Sequence, residues 1–169
     1  MTTIDAKMHV LGIEPIYDDF RPLRREKLIE LERTLGARIP ASYKAFLQQF
    51  GCSYTPGRVV CVRSIAQPPS EVTSGNTLEL GVFLGAGEKT HDLLRTMALN
   101  GDRLPPRGLP FANDPSGNLF LLRCENPEEV YFWSHMHDEE GETFDRHGSS
   151  LTLVATSFED FVARLEVCG

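Results

Sequence analysis

No stretch of the 169-residue chain approaches the roughly 18 consecutive apolar residues that a membrane-spanning helix needs. Its first residues, MTTIDAKMHVLGIEP, lack both a basic start with an apolar run and a small-residue cleavage site, so a cytoplasmic protein is expected. Basic residues are in the minority: 17 Lys and Arg against 24 Asp and Glu give a formal charge of -7, which disfavours nucleic acid as a partner. Cys52, Cys61, Cys124 and Cys168 contain no C-x-x-C pair, which excludes a spacing-encoded zinc knuckle or dithiol motif, and buried free thiols are expected. The chain has no G-x-S-x-G, no P-loop and no G-x-G-x-x-G. The nearest approach to a phosphate loop, GAGEKT at 85–90, lacks the four-residue spacer before its Lys and carries Glu88, which opposes phosphate. A plain strand-to-helix connection is expected there.

What is present is the composition of a packed domain: 41% apolar residues, ten Phe, four Tyr and 24% charged residues. The length suits one domain that buries a core without help from metals or disulfides. Charge is unevenly placed. From Arg21 to Lys44 there are seven basic and three acidic residues, whereas from Glu125 to Glu166 there are eleven acidic and two basic. A strongly negative carboxyl-terminal third points to a basic protein as partner.

Residues 1–21 show no clear period and are read as a short arm before a domain at 22–169. Leu28, Leu31 and Leu35 recur at helical spacing before Gly36, and Tyr43, Phe46, Leu47 and Phe50 form a second stripe between Pro40 and Gly51. The β-branched RVVCVRSI (58–65) and TLELGVFLG (77–85) read as strands separated by a loop. Thr90 is the expected cap of a helix through Leu93, Leu94 and Met97. NLFLLRCE and EVYFWSHMH read as an antiparallel hairpin and LTLVAT as a further strand. Ser157 is expected to cap a last helix over SFEDFVARLEV, with Phe158, Phe161, Val162 and Leu165 buried. The order predicts a single α+β domain, a largely antiparallel mixed sheet packed with roughly four helices.

Four segments in this order, IPASYKAFLQQFG, LPFANDPSGNLFLL, VYFWSHMHDEE and VATSFEDFVARL, resemble the SMI1/KNR4 (SUKH) superfamily over about residues 22–167. The resemblance implies an α+β domain without catalytic activity or cofactor. It also implies a binding role, in bacterial members that of an immunity protein neutralising a cognate toxin, in others that of an intracellular scaffold or regulatory adaptor. It brings no catalytic set, so its motif positions are structural. Pro40, Tyr43, Phe46, Leu47 and Gly51 belong to the second helix and its end, Asp114, Gly117 and Asn118 to a turn into a central strand, and Ser157, Phe158 and Phe161 to the last helix. The segment DEEGETFDRHGSSL departs from the family pattern and is where a partner preference could reside.

YFWSHMHDEE, residues 131–140, raises the question of a metal. His135 and His137 share one face of a strand, and Glu142 follows at a distance that resembles a cupin motif. The glycine expected six residues before His135 is Glu129, and no second histidine motif follows; solvent-facing polar residues are the expected reading. Trp133 is expected in the core, because the family it resembles keeps an aromatic pattern there; a partner contact, with the Phe132 side packing the helices, is the alternative. Asp138, Glu139, Glu140, Glu142 and Asp145 form an acidic run suited to a basic partner surface, such as the cleft of a nucleic-acid-cleaving toxin. The expected mode of binding is through the sheet face together with this acidic loop.

Overall fold

The computed structural model describes residues 2–17, 23–87, 90–136, 141–144 and 150–169. Among these the chain runs α1 (Thr3–Leu11), β1 (Glu14–Pro15), α2 (Arg25–Leu35), α3 (Ala41–Phe50), β2 (Ser53–Tyr54), β3 (Val60–Arg63), β4 (Thr77–Leu80) and α4 (Leu93–Asn100). It continues through a 3-10 turn (Gly101–Arg103), β5 (Gly108–Asn113), β6 (Leu119–Arg123), β7 (Val130–Trp133), β8 (Leu151–Ala155), α5 (Phe158–Arg164) and β9 (Leu165–Val167). This is the α+β layout the sequence predicts, with one more α-helix than expected.

The additional helix, α1, lies in the stretch read as an arm. Thr2 and Asp5 cap it reciprocally: the Asp5 amide donates to Thr2 Oγ1 at 3.1 Å and the Thr2 amide to Asp5 Oδ2 at 2.7 Å. Only Met8 and Leu11 of its residues are buried, a single i, i+3 pair, too short a stripe to show as a period. α2 buries Leu31 and Leu35, and α3 buries Tyr43, Phe46 and Leu47. The cap of α4 is Asp92, whose carboxylate accepts the Arg95 amide at 2.9 Å, rather than Thr90. A carboxylate directly before the first helical residue accepts at the helix start, whereas Thr90 lies two residues further out. Ser157 caps α5 as expected, its hydroxyl accepting the Asp160 amide at 3.0 Å. That helix stops at Arg164, and Leu165–Val167 leaves it to pair antiparallel with β3.

β5, β6, β7 and β8 form an antiparallel meander, and β4, β3 and β9 a separate three-stranded sheet. Phe83 bridges Ser53 and Ala112, joining the β1–β2 ribbon to the meander. The strand expected over 77–85 breaks at Gly81, where the Val82 amide turns to donate to Asn113 Oδ1 at 2.9 Å. A Cβ on Gly81 would stand 2.8 Å from that same oxygen. At the other edge, the amides of Ile65 and Ala66 donate to the carbonyls of Val154 and Leu153 at 3.2 and 2.9 Å, tying the two sheets together.

The meander is buried on both faces. Leu109, Phe111, Phe120, Leu122, Phe132 and Val154 face the helices. There Phe111 meets Tyr43, Phe158 and Phe161 edge-on at centroid distances of 5.8, 5.5 and 5.0 Å. On the opposite face Leu119, Leu121, Tyr131, Trp133 and Leu151 form a second core, closed by Leu104 and Phe144. The sheet face expected to meet a partner is therefore covered. This correction has a plain cause: Leu104, just after the 3-10 turn, and Phe144, between β7 and β8, both pack across it.

Candidate partner-binding surface

Trp133 is only 1% exposed. Phe132 packs toward the helices, yet Trp133 on the other side is core as well, because the second layer covers it. Its indole stacks under the Arg103 guanidinium, 5.6 Å from the ring centroid. Trp133 is thus core, the reading the sequence favours, and its alternative placement as a partner contact is corrected: a ring this deeply covered supports the surface and is not part of it.

The segment between β7 and β8 is anchored through two inward side chains. Phe144 sits 5.0 Å from the Tyr131 ring, with the Arg123 guanidinium 5.5 Å from its centroid. Glu142 is buried and its carboxylate accepts a hydrogen bond from the Ser150 hydroxyl. Glu142 is therefore turned away from solvent, which corrects the expectation of a solvent-facing carboxylate offered to a partner. His135 is exposed, and its ring Nδ1–H and backbone amide donate to Asn118 Oδ1 at 2.7 and 3.2 Å. His137, Asp138, Glu139, Glu140 and Asp145 lie outside the described residues. Among the described residues no cluster of three His, Cys, Asp or Glu could hold a metal ion.

Asn118 belongs to the turn between β5 and β6. Asp114 Oδ1 accepts the amides of Ser116 and Asn118 at 2.9 and 2.8 Å, Asp114 Oδ2 accepts from Asn118 Nδ2 at 2.8 Å, and Gly117 closes the turn at φ 88°. The motif residues named from the sequence thus lock the hairpin and, through Asn118, fix where the chain leaves β7.

The eleven acidic residues of the carboxyl-terminal third sort into three groups. Glu125, Glu129, Glu142 and Asp160 are engaged internally: Glu125 with Arg107 at 2.6 Å, Glu129 with the Tyr131 hydroxyl at 2.7 Å, Glu142 with Ser150, and Asp160 with Arg164 at 2.9 Å. The hydrogen bond from Arg107 holds the Glu125 carboxyl below its usual range. Partial burial pushes the Asp160 carboxyl up, but the Thr156 amide, Arg164 and the Thr156 hydroxyl together outweigh it and keep Asp160 below its ordinary value. Glu128, Glu159 and Glu166 are exposed, and the remaining four belong to the loop residues outside the description. Burial raises the Tyr131 hydroxyl to about 12, reinforced by Glu129.

Two cysteines are not free. Cys61 on β3 and Cys168, just past β9, form a disulfide across a sequence separation of 107, with their Cα atoms 5.9 Å apart. Cys52 and Cys124 are the buried thiols the sequence predicts. Burial, with Glu128 and Glu32 nearby, pushes the Cys124 thiol up to about 12, which removes it from thiolate chemistry at neutral pH. No helix among the described residues is long and apolar enough to cross a membrane.

The fold and this surface define an α+β domain whose antiparallel meander is packed on both sides. The model of the SMI1/KNR4 family (SUKH-1) matches residues 22–164, and the chain belongs to that family. Among curated proteins it is similar to the SPbeta prophage-derived uncharacterized protein YokK of Bacillus subtilis (strain 168). The two are 28% identical over 148 residues, covering 83% of this chain and 73% of that protein.

Proposed function

We propose that this chain is a non-catalytic, protein-binding member of the SUKH-1 family, an immunity protein that neutralises a cognate toxin domain by binding it directly. The observation that carries this reading is the segment between β7 and β8. Phe144 and Glu142 pin it to the second core, while Asp138, Glu139, Glu140 and Asp145 concentrate negative charge on its remaining length. A toxin that attacks nucleic acid carries a basic cleft, and an acidic segment tethered to a rigid sheet steers toward such a cleft and obstructs it. A prophage-derived relative is in keeping with a gene that travels on mobile elements among competing cells. With both faces of the meander covered, contact falls to the acidic segment and to surfaces away from the sheet.

The test is coexpression with any toxin domain that is encoded beside this gene. The reading expects growth rescue and a stable one-to-one complex whose association slows as salt rises. Failure to rescue or to bind any adjacent toxin overturns it.

A further inference from the structure

A groove of about 760 Å³ opens between α1, α3 and α5, far in sequence from the acidic segment. Its floor is apolar, formed by Ile4, Phe46 and Val162. Ala45 on α3 and Ala163 on α5 are exposed and small, and their short side chains leave the space between the helices unfilled. The rim carries more acidic than basic side chains: Asp5, Glu159 and Asp160 line it against Lys7, with Asp5 also near the chain's α-ammonium and Asp160 paired with Arg164. α1 supplies one wall, and it precedes the residues that match the family, 22–164.

We infer that this groove is a second docking site, one that takes a basic amphipathic helix of a protein partner. An apolar trough between helices accepts the apolar stripe of a helix, whose residues recur at i, i+3, i+4 and i+7. Lysines or arginines flanking that stripe meet Asp5 and Glu159. A second copy of this chain fits poorly, because two molecules of charge -7 would bring acidic rims together. The inference rests on the protein-binding reading above and extends it to a surface supplied in part by residues outside the family match.

The probe is a labelled 14-residue peptide with Leu at helical spacing and Lys on both flanks, titrated against the full chain by fluorescence anisotropy. Binding is expected to weaken at least tenfold in Ala163→Arg and in Ala45→Arg, each of which fills the groove from an exposed position. It is also expected to weaken in Glu159→Lys, and to be lost when the flanking Lys of the peptide are replaced by Glu. Melting temperatures of the variants close to that of the parent chain separate this from unfolding. No binding, or binding indifferent to Ala163→Arg and Glu159→Lys, overturns the groove. So does a dimer of the parent chain that Ala163→Arg splits into monomers, because the occupant is then a second copy. Titrating the adjacent toxin domain against the same variants separates the two proposals. A toxin bound equally well by the parent chain and Ala163→Arg, together with a peptide that fails to bind, refutes the groove and leaves the immunity reading standing. A peptide that binds in the groove where no adjacent toxin binds at all does the reverse.

Discussion

The Phe144 ring lies 5.0 Å from that of Tyr131, at an interplanar angle of 42°, and this pair joins the segment between β7 and β8 to the central sheet. Phe144 is buried and completes a cluster that otherwise consists of Leu104 and side chains of β6, β7 and β8. Replacing it with Ala removes the lid of the smaller core. The loss is expected at the low end of the range for a buried Phe, about 3 kcal/mol, because the adjoining segment can settle into part of the space. Phe161→Ala, in the larger core between Phe111 and Phe120, is expected to cost more, about 3–5 kcal/mol. Urea unfolding of both variants checks the order. A Phe144→Ala variant as stable as the parent chain would mean that Phe144 does not anchor the segment.

Asn118 holds both neighbours of the β5–β6 turn through one side chain, donating to Asp114 and accepting from His135. Asn118→Ala leaves an Asp114 carboxylate oxygen, and the ring N–H and backbone amide of His135, without these partners. These groups are partly open to water, so the expected loss is about 1–2 kcal/mol, with partner affinity nearly unchanged. Thermal unfolding and a binding titration read the two quantities separately. A large fall in affinity at unaltered stability would place the His135 end of β7 in the interface.

Much of the fold was legible because its signals are local. The Tyr43, Phe46, Leu47 stripe, the Ser157 cap and the Asp114–Asn118 turn each lie within one element or one turn, where spacing and side-chain chemistry speak directly. What escaped depends on partners distant in sequence. β9 looks like the end of a helix until β3 is beside it, and Cys168 finds Cys61 only through that pairing. α1 buries too few residues to show a period. The site was the least legible part. Trp133 and Glu142 carry the residue types of an interface, yet both turn inward, because a second layer over a sheet leaves no mark in the alternation of the strand beneath it.

The helix start at Ser157 gives stability a defined dependence on pH. Asp160 accepts from the Thr156 amide at 2.9 Å and from Arg164 Nε at 2.9 Å, and its folded pKa lies below the ordinary 3.8. A depressed carboxyl stabilises the fold fully above its unfolded value, and that contribution is lost as pH falls through the folded one. Asp160→Asn is therefore expected to cost about 1 kcal/mol at neutral pH, and the gap between variant and parent should close below 3.8. Unfolding curves across this window check the sign. A gap that widens toward acid would show that Asp160 is not held as its ion.

The thiol inventory tests the pairing of β3 with β9. Under denaturant without reductant, two thiols are expected to titrate, Cys52 and Cys124, while Cys61 and Cys168 remain joined. Closing so long a loop restricts the unfolded chain, and Cys168→Ser is expected to lower stability by about 2–4 kcal/mol. Titration of all four thiols in freshly purified protein would contradict the disulfide.

Charge reversal at Glu139 and Glu140 separates a steering role from a structural one. If these carboxylates act on a basic partner through long-range attraction, replacing both with Lys slows association and leaves dissociation little altered, since steering works before contact. Solvated surface charges contribute little to folding, so the melting temperature should stay nearly constant. Stopped-flow or surface-based kinetics against the adjacent toxin domain, at low and at raised salt, give the decisive comparison. The parent chain is expected to lose its rate advantage over the Glu139→Lys, Glu140→Lys variant as salt rises, because screening shortens the reach of the same field. A salt-independent difference between the two, or a large drop in melting temperature on reversal, would mean that the acidic segment acts through fixed contacts within the fold and not by attracting a partner.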